Sequence, residues 1–148
     1  MKYIIIVAFV FFSFSQRKDD LKKKAIEEIT AADIAMSNLA TKVGFYKALL
    51  VYAEDSVKIM RQGKLPIMSK SEAELNWTDK PVIKELTWRP VRVDASENGD
   101  MGYSFGYSTY QGKDTVTFTN YCTIWRRQKD GSWKFVFDGG NNIPSPFN

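Results

Sequence analysis

In the stretch Met101-Gly102-Tyr103-Ser104-Phe105-Gly106-Tyr107-Ser108-Thr109-Tyr110, bracketed by Asn98-Gly99 and Gln111-Gly112-Lys113, large and small side chains alternate from Met101 to Ser108. Asn-Gly between alternating runs is a strong hairpin signal, because the tight turn needs positive φ at its central residues. Asp130-Gly131 marks a further reversal. Strands are therefore predicted over about Lys84 to Ala95, Met101 to Tyr110, Thr115 to Gln128 and Ser132 to Asp138, an antiparallel meander. Strand side chains alternate faces, so Met101, Tyr103, Phe105, Tyr107 and Thr109 share one face, and Gly102, Ser104, Gly106 and Ser108 the other. Such a division suits a strongly curved sheet. Parity alone leaves open which face is concave, and a bulge would reverse it.

Upstream of the meander the period changes. From Leu21 the apolar positions Ala25, Ile29, Ala32, Met36, Leu39 and Val43 recur at intervals of four or three, one face of a long helix. Asp19 and Asp20 sit at its start, where carboxylates favour the dipole, and Gly44 is placed as a C-terminal cap. A second helix is predicted from Phe45 to about Ala53, burying Phe45, Leu49 and Tyr52, followed by a short strand over Ser56 to Met60. Ser69 with Glu72 forms a capping box for a third short helix that must stop before Pro81. Helices grouped ahead of a meander indicate an α+β fold in which N-terminal helices pack on one face of a strongly curved antiparallel sheet. A sheet bent that far encloses a pocket. The tryptophans, Trp88 among them, and the meander tyrosines are placed to line it.

Lys2 followed by the apolar run Tyr3 to Phe12 and then Ser13-Phe14-Ser15 reads as a secretory signal peptide over residues 1–15, cleaved near Ser15/Gln16. A spanning helix needs roughly twenty apolar residues, more than this run supplies. The chain is therefore expected to be periplasmic or extracellular, without a stable membrane anchor. The remaining domain, residues 16–140, has the size of a single core, and residues 141–148, with Pro144 and Pro146, are expected to form an irregular tail.

The chain contains no histidine, which removes histidine bases, catalytic triads and histidine metal sites. One cysteine, Cys122, allows neither an internal disulfide nor a thiolate cluster, and its place in a strand-like run reads as core. No metal site and no cofactor are expected. The formal charge of +4 drops by one when Lys2 leaves, too small an excess to indicate nucleic acid as a partner. Arg126, Arg127 and Lys129 beside Trp125 are read as a solvated strand end.

The run Asn98-Gly99-Asp100-Met101-Gly102-Tyr103, then Tyr107, Tyr121-Cys122-Thr123-Ile124-Trp125-Arg126-Arg127-Gln128, Asp130-Gly131-Ser132-Trp133-Lys134 and Asp138-Gly139 resembles a known family. It is similar to the domain of unknown function 4440 (DUF4440) branch of the nuclear-transport-factor-2-like (NTF2-like), or SnoaL-like, superfamily. Ala32-Asp33 and Ala53-Glu54-Asp55-Ser56-Val57 extend the likeness over most of the chain. The resemblance implies a cone-shaped α+β barrel with a deep apolar pocket, often a homodimer. It implies no single reaction, since relatives include ketosteroid isomerases, polyketide cyclases, dehydratases and plain binding modules.

Asp33 is the sharpest site candidate, a carboxylate on an apolar stripe with Ile26, Ile29, Met36 and Ala40. Burial toward a pocket would raise its pKa and suit it to proton transfer. The competing role is structural, as an acceptor for strand tyrosines or tryptophan indoles. Asp138 ends an aromatic strand on the parity opposite to Trp133, Phe135 and Phe137, which suits a rim or capping role as well as a catalytic one. Tyr103, Tyr107 and Tyr121 are candidate donors to a ligand oxygen, or core residues with satisfied hydroxyls. Arg61, on the alternation of Val57 and Ile59, is placed to meet an acidic ligand or to extend past the strand end. The preferred function is a secreted binding or dimerisation module that holds a small apolar or aromatic ligand. The alternative is a cofactor-free isomerase, cyclase or dehydratase using Asp33 with a tyrosine donor.

Overall fold

The computed structural model describes residues 4–146, with side chains from Arg17 onward. The side chains of the expected leader and the start of its apolar run lie outside the described residues. Three helices, α1 (Ile4–Val43), α2 (Phe45–Tyr52) and α3 (Lys70–Trp77), accompany five strands, β1 (Ala53–Ile59), β2 (Leu86–Ala95), β3 (Met101–Gln111), β4 (Val116–Arg127) and β5 (Trp133–Ile143). Among the described residues no helix is long and apolar enough to cross a membrane.

The α+β architecture agrees with the sequence reading, with two corrections to the sheet. The strands run in the order β1-β5-β4-β3-β2, with β1 and β2 at the two edges, so the sheet is curled but not closed into a barrel. It is also mixed, because β1 lies parallel to β5 while the other pairs are antiparallel. A parallel pair needs a long crossover, which α3 and the rest of the meander supply. The last strand runs to Ile143, so the residues 141–143 read as tail are paired with β4. Gly140 permits this close pairing: a Cβ there would stand 2.0 Å from the Asn120 carbonyl oxygen.

Helix α1 lies across β2 and β3 and turns Ala25, Ile29, Met36 and Ala40 fully inward. Ala32 and Leu39 are only half-buried and Val43 is exposed. The buried stripe is instead completed by the polar residues Asp33 and Ser37. Opposite it, Ser104, Gly106 and Ser108 of β3 are buried, whereas Tyr103, Phe105 and Tyr107 are half-exposed on the outer face. The small face is thus the inner one. At Gly102 a Cβ would come within 2.5 Å of Ile29 Cδ1, so the bare backbone lets the helix approach the sheet. Cys122, expected in the core, is half-buried on the outer face, because its neighbours Tyr121 and Thr123 take the inward positions of β4.

The centre of the core is aromatic. Trp125 and Phe135 are fully buried and meet edge to face at 6.0 Å, with Tyr52 against the other side of Trp125. Gly44, at φ 96°, ends α1, and its N–H donates to Ala40 O. At α3, Ser69 Oγ accepts from Glu72 N as the capping box requires, but Glu72 reaches back to Met68 N rather than to Ser69 N. Trp133 is buried beneath Arg127, whose guanidinium lies 4.6 Å from the ring centroid, and its indole N–H donates to Glu28 of α1 at 3.0 Å.

Trp133 therefore joins β5 to α1 by packing and by a hydrogen bond. Trp133→Ala is expected to cost on the order of 3–5 kcal/mol, a large share of the stability of a domain this size. Chemical denaturation checks this, and an unchanged midpoint would mean that the side chain is not part of the core.

Candidate functional site

Asp33 sits in the last third of α1 with no exposure to solvent. A carboxylate there must be hydrogen-bonded or neutral. Trp88 Nε1 donates to its Oδ1 at 2.8 Å, and the Tyr121 hydroxyl lies 3.2 Å from both oxygens. Ser104 is a further partner and in turn accepts from the Trp125 indole at 2.9 Å. One helix turn on, Ser37 Oγ accepts from the backbone N–H of Trp88. Burial pushes Asp33 up to about 6, against the opposing effect of the bonds from Ser104, Trp88 and Tyr121. Burial and the adjacent Asp33 charge also push Tyr121 upward, so its hydroxyl keeps its proton as a donor.

On the far side of Trp88 and Tyr121 opens a pocket of about 250 Å³. Met36, Phe45, Leu49 and Leu86 supply an apolar end, and Trp88 forms a wall with Phe45 edge-on at 5.9 Å. Its polar end carries Arg61, Gln62, Asn120 and Asp138. Asp138 reaches this cavity through a bulge. Trp125 pairs with Phe135 and Ile124 with Phe137, leaving Val136 as the extra residue of β5. The bulge reverses parity, so Phe137 turns outward while Asp138 joins Trp133 and Phe135 on the inner side. Asp138 then accepts from Thr123 Oγ1 at 2.8 Å and from Arg61 Nη1 at 2.8 Å.

The candidates from the sequence thus divide. Arg61, Trp88, Tyr121 and Asp138 converge on one pocket. Tyr103 and Tyr107 do not reach it; they stand on the opposite face of β3, where Tyr107 packs against Phe105. The physical reason is that Gly102, Ser104, Gly106 and Ser108 are needed inside, where the helix comes close. Asp33 is buried behind the pocket wall rather than exposed in it, as the structural-acceptor role expects. Sequence reasoning missed Thr123, which shares strand parity with Tyr121, and Ser104, which lies on the parity opposite to the tyrosines it selected on β3. It also missed Gln62 and Asn120, polar residues with no local pattern to mark them.

No family model matches the chain, and no curated protein matches it. Solved structures do. A ketosteroid isomerase-like protein from Erwinia carotovora atroseptica matches at TM-score 0.66 with 16% identity, over 81% of this chain and 97% of its own. An NTF2-like protein of unknown function from Pseudomonas putida matches at TM-score 0.63 with 14% identity, over 84% of this chain and 91% of its own. An NTF2-like protein with a cystatin-like fold from Novosphingobium aromaticivorans matches at TM-score 0.59 with 15% identity, over 99% of this chain and 94% of its own. At these identities the likeness is one of fold. Helices laid on the inner face of an open, curled sheet, with a pocket behind the long helix, give this chain the NTF2-like fold.

Proposed function

We propose that this protein is an exported, single-domain binding module that holds a small apolar or aromatic molecule in the pocket between α1, α2 and the inner face of the sheet. The observation that carries this reading is the saturation of Asp33. Both carboxylate oxygens are engaged by Trp88 and Tyr121, and neither is exposed. A general base must reach the proton it removes, directly or through one water. Here a substrate proton meets the tyrosine first. The apolar end and the aromatic wall of Trp88 suit a ring compound.

A second reading is favoured by one observation. Tyr121 lines the pocket while its hydroxyl rests on a carboxylate whose pKa is about 6, an arrangement through which a proton could be relayed. This is the isomerase-type alternative, in which Asp33 acts through Tyr121. Within the superfamily, the spacing from Trp125-Arg126-Arg127-Gln128 to Asp130-Gly131-Ser132-Trp133-Lys134 supports the DUF4440 branch. Export and a homodimer belong to the same proposal. The signal-like residues 1–15 support the first, and the half-exposed outer face bearing Tyr103, Phe105, Tyr107 and Phe137 supports the second.

Asp33→Asn separates the two readings. As a binding module the variant keeps its affinity for any ring compound found by thermal-shift screening, and neither protein turns the compound over. Turnover by the wild type that vanishes in a stable Asp33→Asn protein would establish the relay. The variant also has a stability signature. Because the folded-state pKa of about 6 lies above the ordinary 3.8, protons bind more tightly to the folded chain. Asp33 therefore adds stability as pH falls through about 6, and this contribution is lost as pH rises. Between about pH 7 and about pH 4.5 the wild type should gain on the order of 2 kcal/mol relative to Asp33→Asn. Parallel difference curves would mean that Asp33 titrates normally.

Export and assembly are checked together on protein recovered from the secreting host. The intact mass should correspond to a chain beginning near Gln16, and sedimentation should give a dimer. A full-length chain held in the membrane fraction would overturn export, and a monomer at high concentration would overturn the dimer.

A further inference from the structure

Arg61 has a buried nitrogen left over. Its Nη1 is used twice, donating to Asp138 Oδ2 at 2.8 Å and to Met60 O at 2.8 Å. Its Nη2 is buried without a protein partner, the one buried side-chain nitrogen or oxygen in that condition among the described residues. A buried guanidinium N–H without an acceptor is costly, and native structures rarely leave one so. The same residue lines the pocket and lies over Phe45, with the guanidinium carbon 5.7 Å from the ring centroid. The other polar groups at this end are already committed in part: Asn120 Oδ1 accepts from Asn141 N, and Gln62 Oε1 from Asn142 N. Arg61 lines this pocket and, with Gln62, Asn120 and Tyr121, a second cavity beside it, and a molecule seated in the pocket can supply the acceptor that Nη2 lacks.

The charges around the pocket decide which acceptor it is. Arg61 is the only cation and Asp138 the only anion among its described lining residues, and the two are paired. Asp33 adds a second carboxylate just behind Tyr121 and Trp88. A ligand carboxylate on Nη2 would share one guanidinium with Asp138 and face Asp33 through the wall, with no cation left to balance it. Like charges brought together in a partly buried site repel. An uncharged oxygen accepts the same hydrogen bond at no such cost.

Resting on the reading of the pocket as a binding site, we propose that its ligand is an uncharged ring compound bearing one acceptor oxygen, such as a carbonyl, that accepts from Arg61 Nη2. The ring lies against Trp88, Phe45 and Leu49. Arg61 with Asp138 thereby sets specificity, selecting an acceptor-bearing ring over a hydrocarbon and a neutral molecule over an acid.

Calorimetric titration with three probes of one shape tests this: indane, 1-indanone and indane-1-carboxylate. The wild type should bind the ketone roughly tenfold more tightly than either of the others, the scale of one buried hydrogen bond to a charged donor. The double variant Arg61→Met with Asp138→Asn, which removes the donor without stranding a carboxylate, should lose the preference for the ketone, the ratio of its affinities for the ketone and for indane falling to about one. Equal affinity of the wild type for indane and the ketone would overturn this proposal and leave the binding-module reading intact. Tightest binding of the carboxylate would overturn it in favour of an anion site. If the folded wild type binds none of the three, both readings fall together.

Discussion

A carboxylate buried on the inward stripe of α1 holds the two layers of this protein together. Asp33 accepts from an indole of β2 and a phenol of β4, and Ser37 one turn away accepts from the β2 backbone. The interaction is strong because its alternatives are poor. With Asp33 replaced by an apolar residue, an indole N–H and a tyrosine hydroxyl would be left buried and unpaired, at about 1–3 kcal/mol each. With Asp33 charged and its donors removed, the cost would be larger still. Helix and sheet are therefore fixed in register by hydrogen bonds, whereas Ile29 against Gly102 sets only their spacing.

The same constraint shapes the pocket. Trp88 and Tyr121 present one side to Asp33 and the other to the cavity, so the group that fixes the core also orients the wall. The pocket's own polarity is supplied from elsewhere, by Arg61 just beyond β1 and by Asp138 on β5. Those two strands are the parallel pair of the sheet, and Met60 N donates to Asp138 O at the point where they meet. Position and chemistry are thus divided between separate parts of the fold, which leaves room for the polar end to vary without loosening the core.

Much of this was legible in local patterns. Asn98-Gly99 and Asp130-Gly131 located the turns, Ser69 with Glu72 located a helix start, and a lone carboxylate on an apolar stripe identified Asp33. What stayed hidden depended on contacts distant in sequence. The parallel pairing of β1 with β5 and the Arg61 to Asp138 bond, 77 positions apart, leave no local trace. The bulge at Val136 is equally silent, yet it moves Asp138 from the outer parity to the pocket. Gly139-Gly140 followed by two asparagines resembles a loop, and only its pairing with β4 makes it strand. Tyr103 and Tyr107 were drawn toward the pocket by their chemistry, while the close approach of α1 required the small residues of β3 inside.

The central claim is that Asp33 is a saturated acceptor inside the core and not an open base in the pocket. The carboxyl ¹³C titration of Asp33, followed together with exchange of the Trp88 indole proton, measures it most directly. Asp33 should titrate near 6 with the Trp88 proton protected from solvent, and occupation of the pocket should change neither. A carboxyl that titrates near the ordinary 3.8, beside an indole proton that exchanges freely, would contradict it.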